Sequence, residues 1–121
     1  MRRARPVRFV AALSGAFAVM TGAFAAHGIG DPAAADWLRT GAHYQIVHVV
    51  AALAVLAPPG GNRLRWWAAW LFLIGGWIFA GSLDLMAIGG PRWLGAITPI
   101  GGTALILGWL CLAASALGRR D

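Results

Sequence analysis

Gly41-Ala42-His43-Tyr44-Gln45-Ile46-Val47-His48 leads directly into the apolar run Val49 to Ala57, and the reading of that join decides the fold. At 3.6 residues per turn, Tyr44 and His48 stand four apart and Gln45 and His48 three apart. They share one helical face with Gly41 and Ala52, while His43 points elsewhere. The chain around this helix is too apolar for water. Its hydrophobic content is 60% over 121 residues and its mean hydropathy is +0.70, against roughly 45–50% apolar residues in soluble domains. An integral membrane protein is expected, with the lipid bilayer as its principal partner.

Working outward, Pro58-Pro59-Gly60-Gly61 ends this span, which covers 42–57 and is short for about 30 Å of hydrocarbon. Before it, Asp31-Pro32 offers an N-cap followed by a proline at the first helical position. These residues predict a short helix to about Arg39, with Trp37 and Leu38 at the membrane interface. A first span is read over 9–27, a third over 66–88 with Trp66, Trp67 and Trp70 as its aromatic anchor, and a fourth over 98–117 opened by Thr98-Pro99. The expected fold is therefore all-α: one membrane domain, a four-helix bundle with a short interfacial helix after the first span.

The first span also resembles a signal peptide, with Arg2, Arg3, Arg5 and Arg8 before an apolar run that closes on Ala23-Phe24-Ala25. The local pattern alone leaves cleavage after Ala25 open. Charge sets the orientation. With four spans and the N-terminus inside, Arg2, Arg3, Arg5, Arg8, Arg63, Arg65, Arg119 and Arg120 lie on the inner side and only Arg39 and Arg92 outside. That asymmetry predicts two cytoplasmic termini. The net charge of +6 does not point to nucleic acid, because the arginines sit in short groups between uncharged runs. Absence of Lys and Glu beside abundant Ala, Gly and Arg fits a GC-rich bacterial genome, hence the bacterial inner membrane. Cys111 has no partner for an intrachain disulfide and sits in an apolar run.

Orientation places His27, Tyr44, Gln45, His48, Ser82, Asp84 and Thr98 in the outer half of the membrane. Each has a bland reading: His27 caps a helix, Tyr44 anchors at the interface, and Gln45 and His48 hold helices together by hydrogen bonds. Each also has a functional one, as a proton or ligand site. Asp84 is the sharpest, since a carboxylate in a span needs a partner, water or a proton; Arg92, His27 and His48 are its candidate partners. All but Asp84 are expected to meet in one layer lined by Gly22, Gly81 and Gly101. Close helix packing is expected at Ser14, Ala18, Gly22 and Ala26, at Gly76 and Ala80, at Gly101 and Gly102, and at Ala104 and Gly108. The same small-residue faces also suit a homodimer.

The combination resembles the small inner-membrane family known as domain of unknown function 423, the YgdD-like proteins, with an animal relative in transmembrane protein 256. The resemblance rests on Gly22-Ala23-Phe24-Ala25-Ala26-His27-Gly28, on Tyr44-Gln45 with His48, on Phe79-Ala80-Gly81-Ser82-Leu83, and on Gly95-Ala96-Ile97-Thr98-Pro99-Ile100-Gly101-Gly102 with Gly108-Trp109. The chain departs from the family's usual residues at Ala25, Ala80 and Asp84. The resemblance implies a retained, uncleaved first span and supplies no activity.

Three functions follow as expectations. The first is a non-enzymatic membrane protein whose polar layer is structural or binds a partner or lipid. The second is a small oligomeric transporter or channel component using His27, His48 and Asp84 for protons or a solute. Metal or haem binding through His27, His43 and His48 is the third, and it is disfavoured because His43 and His48 lie about 140° apart around one helix. No cofactor is expected, and no catalytic constellation stands out.

Overall fold

Four α-helices make up most of residues 2–118, which are the residues that the computed structural model describes: α1, Ala4–His27; α2, Pro32–Val55; α3, Arg63–Ala87; and α4, Thr98–Leu117. A 3-10 helix, Arg92–Ala96, links α3 to α4. Arg119 and Arg120, which entered the charge reading, lie outside the described residues.

Local chemistry sets the helix starts. The Asp31 carboxylate accepts from the backbone N–H of Ala34 at 3.2 Å, with Pro32 at the first position. Asn62 Oδ1 accepts from Leu64 and Arg65 at the head of α3. These bonds satisfy backbone donors that a helix start leaves free. Gly60 and Gly89 adopt φ of +77° and +104° in the turns after α2 and α3, a region that a side chain disfavours.

The principal difference from the sequence expectation lies in α2. The interfacial helix and the short second span are one continuous helix of 24 residues. Once Asp31 and Pro32 start it, no breaker intervenes before Pro58, and Gly41 is held inside the helix by close packing on α3. At about 1.5 Å per residue, 24 residues reach about 36 Å, which removes the shortfall of a span confined to 42–57. The first helix likewise starts at Ala4, taking Arg5 and Arg8 into its first turns.

Among the described residues, three stretches are long and apolar enough to cross a membrane: Ala4–His27, Arg63–Ala87 and Arg92–Leu117. Half of the apolar stretch of α3 is buried, against about a fifth of the first and last stretches, which makes α3 the packing centre. Neighbours along the chain are antiparallel: Gly15 faces Val49 and Gly22 faces Ala42, Gly41 faces Ala80, Gly75 faces Ala104, and Gly108 faces Phe72. The α3–α4 approach is tightest at Gly101, where a Cβ would lie 2.4 Å from the Phe79 nitrogen and 2.9 Å from the Gly75 carbonyl oxygen. Gly81 plays no such part, since nothing lies within 4 Å of where its side chain would begin. Gly102 meets only the edge of Phe79, at 3.9 Å.

Two apolar clusters occupy the ends. One joins Val7, Ala11, Val49, Ala52, Val55, Ala68, Phe72 and Leu73 near the starts of α1 and α3, and the other joins Ala25, Ala34, Leu38 and Ala87 at the opposite end. Buried polar groups lie between them.

Candidate functional site

The face of α2 that carries Gly41, Gln45 and His48 lies along α3, meeting it in antiparallel register. Gly41 sits against Ala80 and Asp84, a Cβ there falling 3.2 Å from the Ala80 Cα and 3.3 Å from Asp84 Oδ1. One turn further along α2, the Gln45 side chain packs over Gly76, and the next turn brings His48 to Phe72, with ring centroids 5.5 Å apart. The result is a file of three levels along one seam.

At the deepest level the histidine is fully engaged. Nδ1 lies 2.7 Å from the Tyr44 carbonyl oxygen, and Trp109 Nε1 lies 3.0 Å from Nε2. An indole N–H only donates and a carbonyl only accepts, so Nδ1 carries the hydrogen and Nε2 accepts. This arrangement fixes one neutral tautomer and leaves the ring no free nitrogen. His48, Phe72 and Trp109 close on one another as an aromatic cluster linking three helices.

The two upper levels are the reverse. Gln45 is 1% exposed and Asp84 9%, yet both amide atoms of Gln45 and both carboxylate oxygens of Asp84 are buried without a hydrogen-bond partner. None of the expected partners reaches Asp84. The Arg92 guanidinium lies 5.7 Å above the Trp37 ring, His27 is exposed, and His48 is engaged elsewhere. Helical side chains lean toward their own N-terminus, so Gln45 leans toward the level of Gly41 and Asp84, on the antiparallel helix, toward that same level. Both side chains thus lean toward the level of Gly41, without bonding to each other.

Ser82 and Thr98 form a separate pair between α3 and α4, their hydroxyl oxygens 2.5 Å apart. Ser82 is also 2.9 Å from the Phe79 carbonyl, and Thr98 is 3.5 Å from that of Leu94. With one hydrogen on each hydroxyl, the shorter geometry has Ser82 donating to Phe79 and Thr98 donating to Ser82.

The single polar layer expected from the sequence therefore does not form. Two residues along a helix turn the side chain by about 200°, so Ser82 faces α4 while Asp84 faces α2. His27 stands outside the seam by the same geometry: α1 turns Ala11, Ser14, Ala18 and Ala25 into the bundle, and two residues past Ala25 the ring lines an open apolar groove with Phe17, Met20 and Phe24. Tyr44 is 44% exposed and rests on Phe79, with ring centroids 4.7 Å apart, lending its carbonyl to His48. His43 is exposed on a further face. Among the described residues, no group of three metal-ligating side chains comes together.

Two participants were missed in the sequence. Trp109 is the partner of His48, and its signal is a tryptophan in mid-span, far from the interface where anchors belong. Ser14 accepts from Trp77 Nε1 at 2.7 Å and donates to the Val10 carbonyl, tying α1 to α3.

Long apolar helices packed on one another with buried polar pairs between them define an all-helical, multi-pass membrane protein. The chain belongs to the family described as "Protein of unknown function (DUF423)", whose model matches residues 21–102. It is 42% identical to a "UPF0382 membrane protein" of Haemophilus influenzae over 84% of this chain and 86% of that protein. A "UPF0382 membrane protein" of Staphylococcus epidermidis is 39% identical over 88% of this chain and 90% of its own length. The "UPF0382 inner membrane protein YgdD" of Escherichia coli K12 is 35% identical over 88% and 86%. No solved structure matches the chain.

Proposed function

We propose that this is a non-enzymatic, four-span protein of the bacterial inner membrane, with an uncleaved first span and both termini cytoplasmic, whose α2–α3 seam binds a proton or a small monovalent cation between Gln45 and Asp84. The four unpartnered polar atoms of those two side chains carry this reading. Polar groups that serve only to join helices find each other, as His48–Trp109 and Ser82–Thr98 do. A buried carboxylate and amide left without partners cost free energy unless something meets them. Carboxylate and amide oxygens are hard acceptors, which suit a proton or a small cation.

One chain supplies a site and no conduit. Beyond His48 the seam is filled by Val49, Ala52, Val55, Ala68 and Phe72, so passage across the membrane calls for a second copy or another protein. The test is carbon NMR on protein labelled at the Asp carboxyl carbon, reconstituted in nanodiscs and assigned through Asp84→Asn. Titration with acid, sodium or ammonium shifts the Asp84 signal, and Gln45→Leu weakens the response. A signal indifferent to all three removes the site.

A further inference from the structure

At the end where α1 and α3 begin, the arginines divide into two groups. Arg8 and Arg65 are engaged: Arg8 donates to the Leu56 carbonyl, and Arg65 donates to those of Val55 and Gly60, neutralising the carbonyl-rich terminus of α2. Arg3 and Arg63 are exposed and, among the described residues, form neither an ion pair nor a side-chain hydrogen bond. Instead they flank a cavity of about 170 Å³ bordered also by Leu56, Asn62 and Trp66. A second hollow of about 220 Å³ adjoins it between Arg3, Arg63, Trp66 and Trp67. Trp66 holds the wall in place, donating its indole N–H to the Arg3 carbonyl at 3.2 Å beneath the Arg3 guanidinium, 5.8 Å from the ring. Asp31, Asp36 and Asp84, the acids among the described residues, sit at the opposite end of the helices.

We propose that Arg3 and Arg63 form a binding site for the phosphate of an anionic phospholipid headgroup, with Trp66 and Trp67 as its floor at the membrane interface. Guanidinium groups offer forked N–H donors that match phosphate oxygens, and among the described residues no acid pairs with either arginine. Tryptophan rings sit at headgroup depth, apolar toward the acyl chains and polar toward water. The cavity is well above the roughly 10–15 Å³ that a single water needs. Free inorganic phosphate shares the headgroup's chemistry but lacks the acyl chains that would lie along the exposed Leu64 and Trp67.

The experiment uses full-length protein in a neutral detergent, titrated with short-chain phosphatidylglycerol and followed by native mass spectrometry and tryptophan fluorescence. Arg3→Gln and Arg63→Gln each weaken binding about fivefold. Arg5→Gln removes the same charge from an exposed arginine outside the cavity and changes binding less than twofold. Phosphatidylcholine and inorganic phosphate bind at least tenfold more weakly. Equal losses in all three variants would reduce the effect to net charge and overturn the site, and phosphate binding as tightly as the lipid would overturn the headgroup as its ligand. Circular dichroism checks that helix content is kept, and Arg63→Lys, which retains the charge, recovers part of the affinity.

Discussion

The indole of Trp109 donates to Nε2 of His48 across 3.0 Å, joining α4 to α2 over the surface of α3. Because the other ring nitrogen is held by the Tyr44 carbonyl, the histidine works here as a two-sided connector. Trp109→Phe keeps the aromatic contact with Phe72 and removes the donor. The expected loss of stability is about 0.6 kcal/mol, up to about 1.7, as for interhelical bonds elsewhere in membranes. His48→Ala costs more, since it also opens space beside Phe72. Reversible unfolding in mixed micelles measures both, and nitrogen NMR should find the hydrogen of His48 on Nδ1.

Helix approach gives a sharper contrast between two glycines. Gly101→Ala places a methyl 2.4 Å from the Phe79 nitrogen, a contact with backbone that cannot swing aside. Separation of α3 from α4 is expected, at about 1–3 kcal/mol. Gly81→Ala meets nothing within 4 Å and should be neutral or gain up to about 1 kcal/mol from helix propensity. The same unfolding assay separates the two, and equal effects would contradict the packing described.

Ser82→Ala leaves the Thr98 hydroxyl with only the distant Leu94 carbonyl, and Thr98→Val leaves Ser82 bonded to Phe79. Ser82→Ala should therefore be the more costly of the two, by a few tenths of a kcal/mol, within the usual range for such bonds. The reverse order would mean that Ser82 donates to Thr98.

Orientation is tested by single cysteines in a Cys111→Ala background. A membrane-impermeant reagent added from outside should label Gly30→Cys and not Gly61→Cys. Labelling of Gly61→Cys alone would invert the topology, and an intact mass beginning at Ala26 would mean the first span is removed.

The helices were legible in the sequence because apolar length, prolines and caps act locally. Asp31-Pro32 marks the start of α2 by a cap and a proline, whereas at α4 only Pro99 does so, since Thr98 makes no cap bond. Reading α2 as two pieces came from treating Gly28 to Thr40 as a polar interval outside the membrane, whereas a helix continues through polar residues when a neighbour covers one face. The candidate site was legible in composition and not in grouping. Depth along a helix follows from counting residues, so His27, Ser82 and Asp84 were placed at one end. Which way each faces depends on the choice of neighbouring helix, and that separated Ser82 from Asp84 and left His27 outside. The pairing of Trp109 with His48 was not legible because the two are 61 residues apart, at a distance that periodicity does not span.

If Gln45 and Asp84 stay polar for a ligand and not for the fold, replacing them with apolar residues should stabilise the protein. Gln45→Met and Asp84→Leu remove the unpartnered atoms with little change in volume, and the unfolding free energy of the double variant in mixed micelles free of added salt is compared with that of the unaltered protein. A more stable variant is expected, by about 1–3 kcal/mol for each unsatisfied group removed. A double variant less stable by a similar amount would show that the two side chains hold α2 to α3, and would contradict the site.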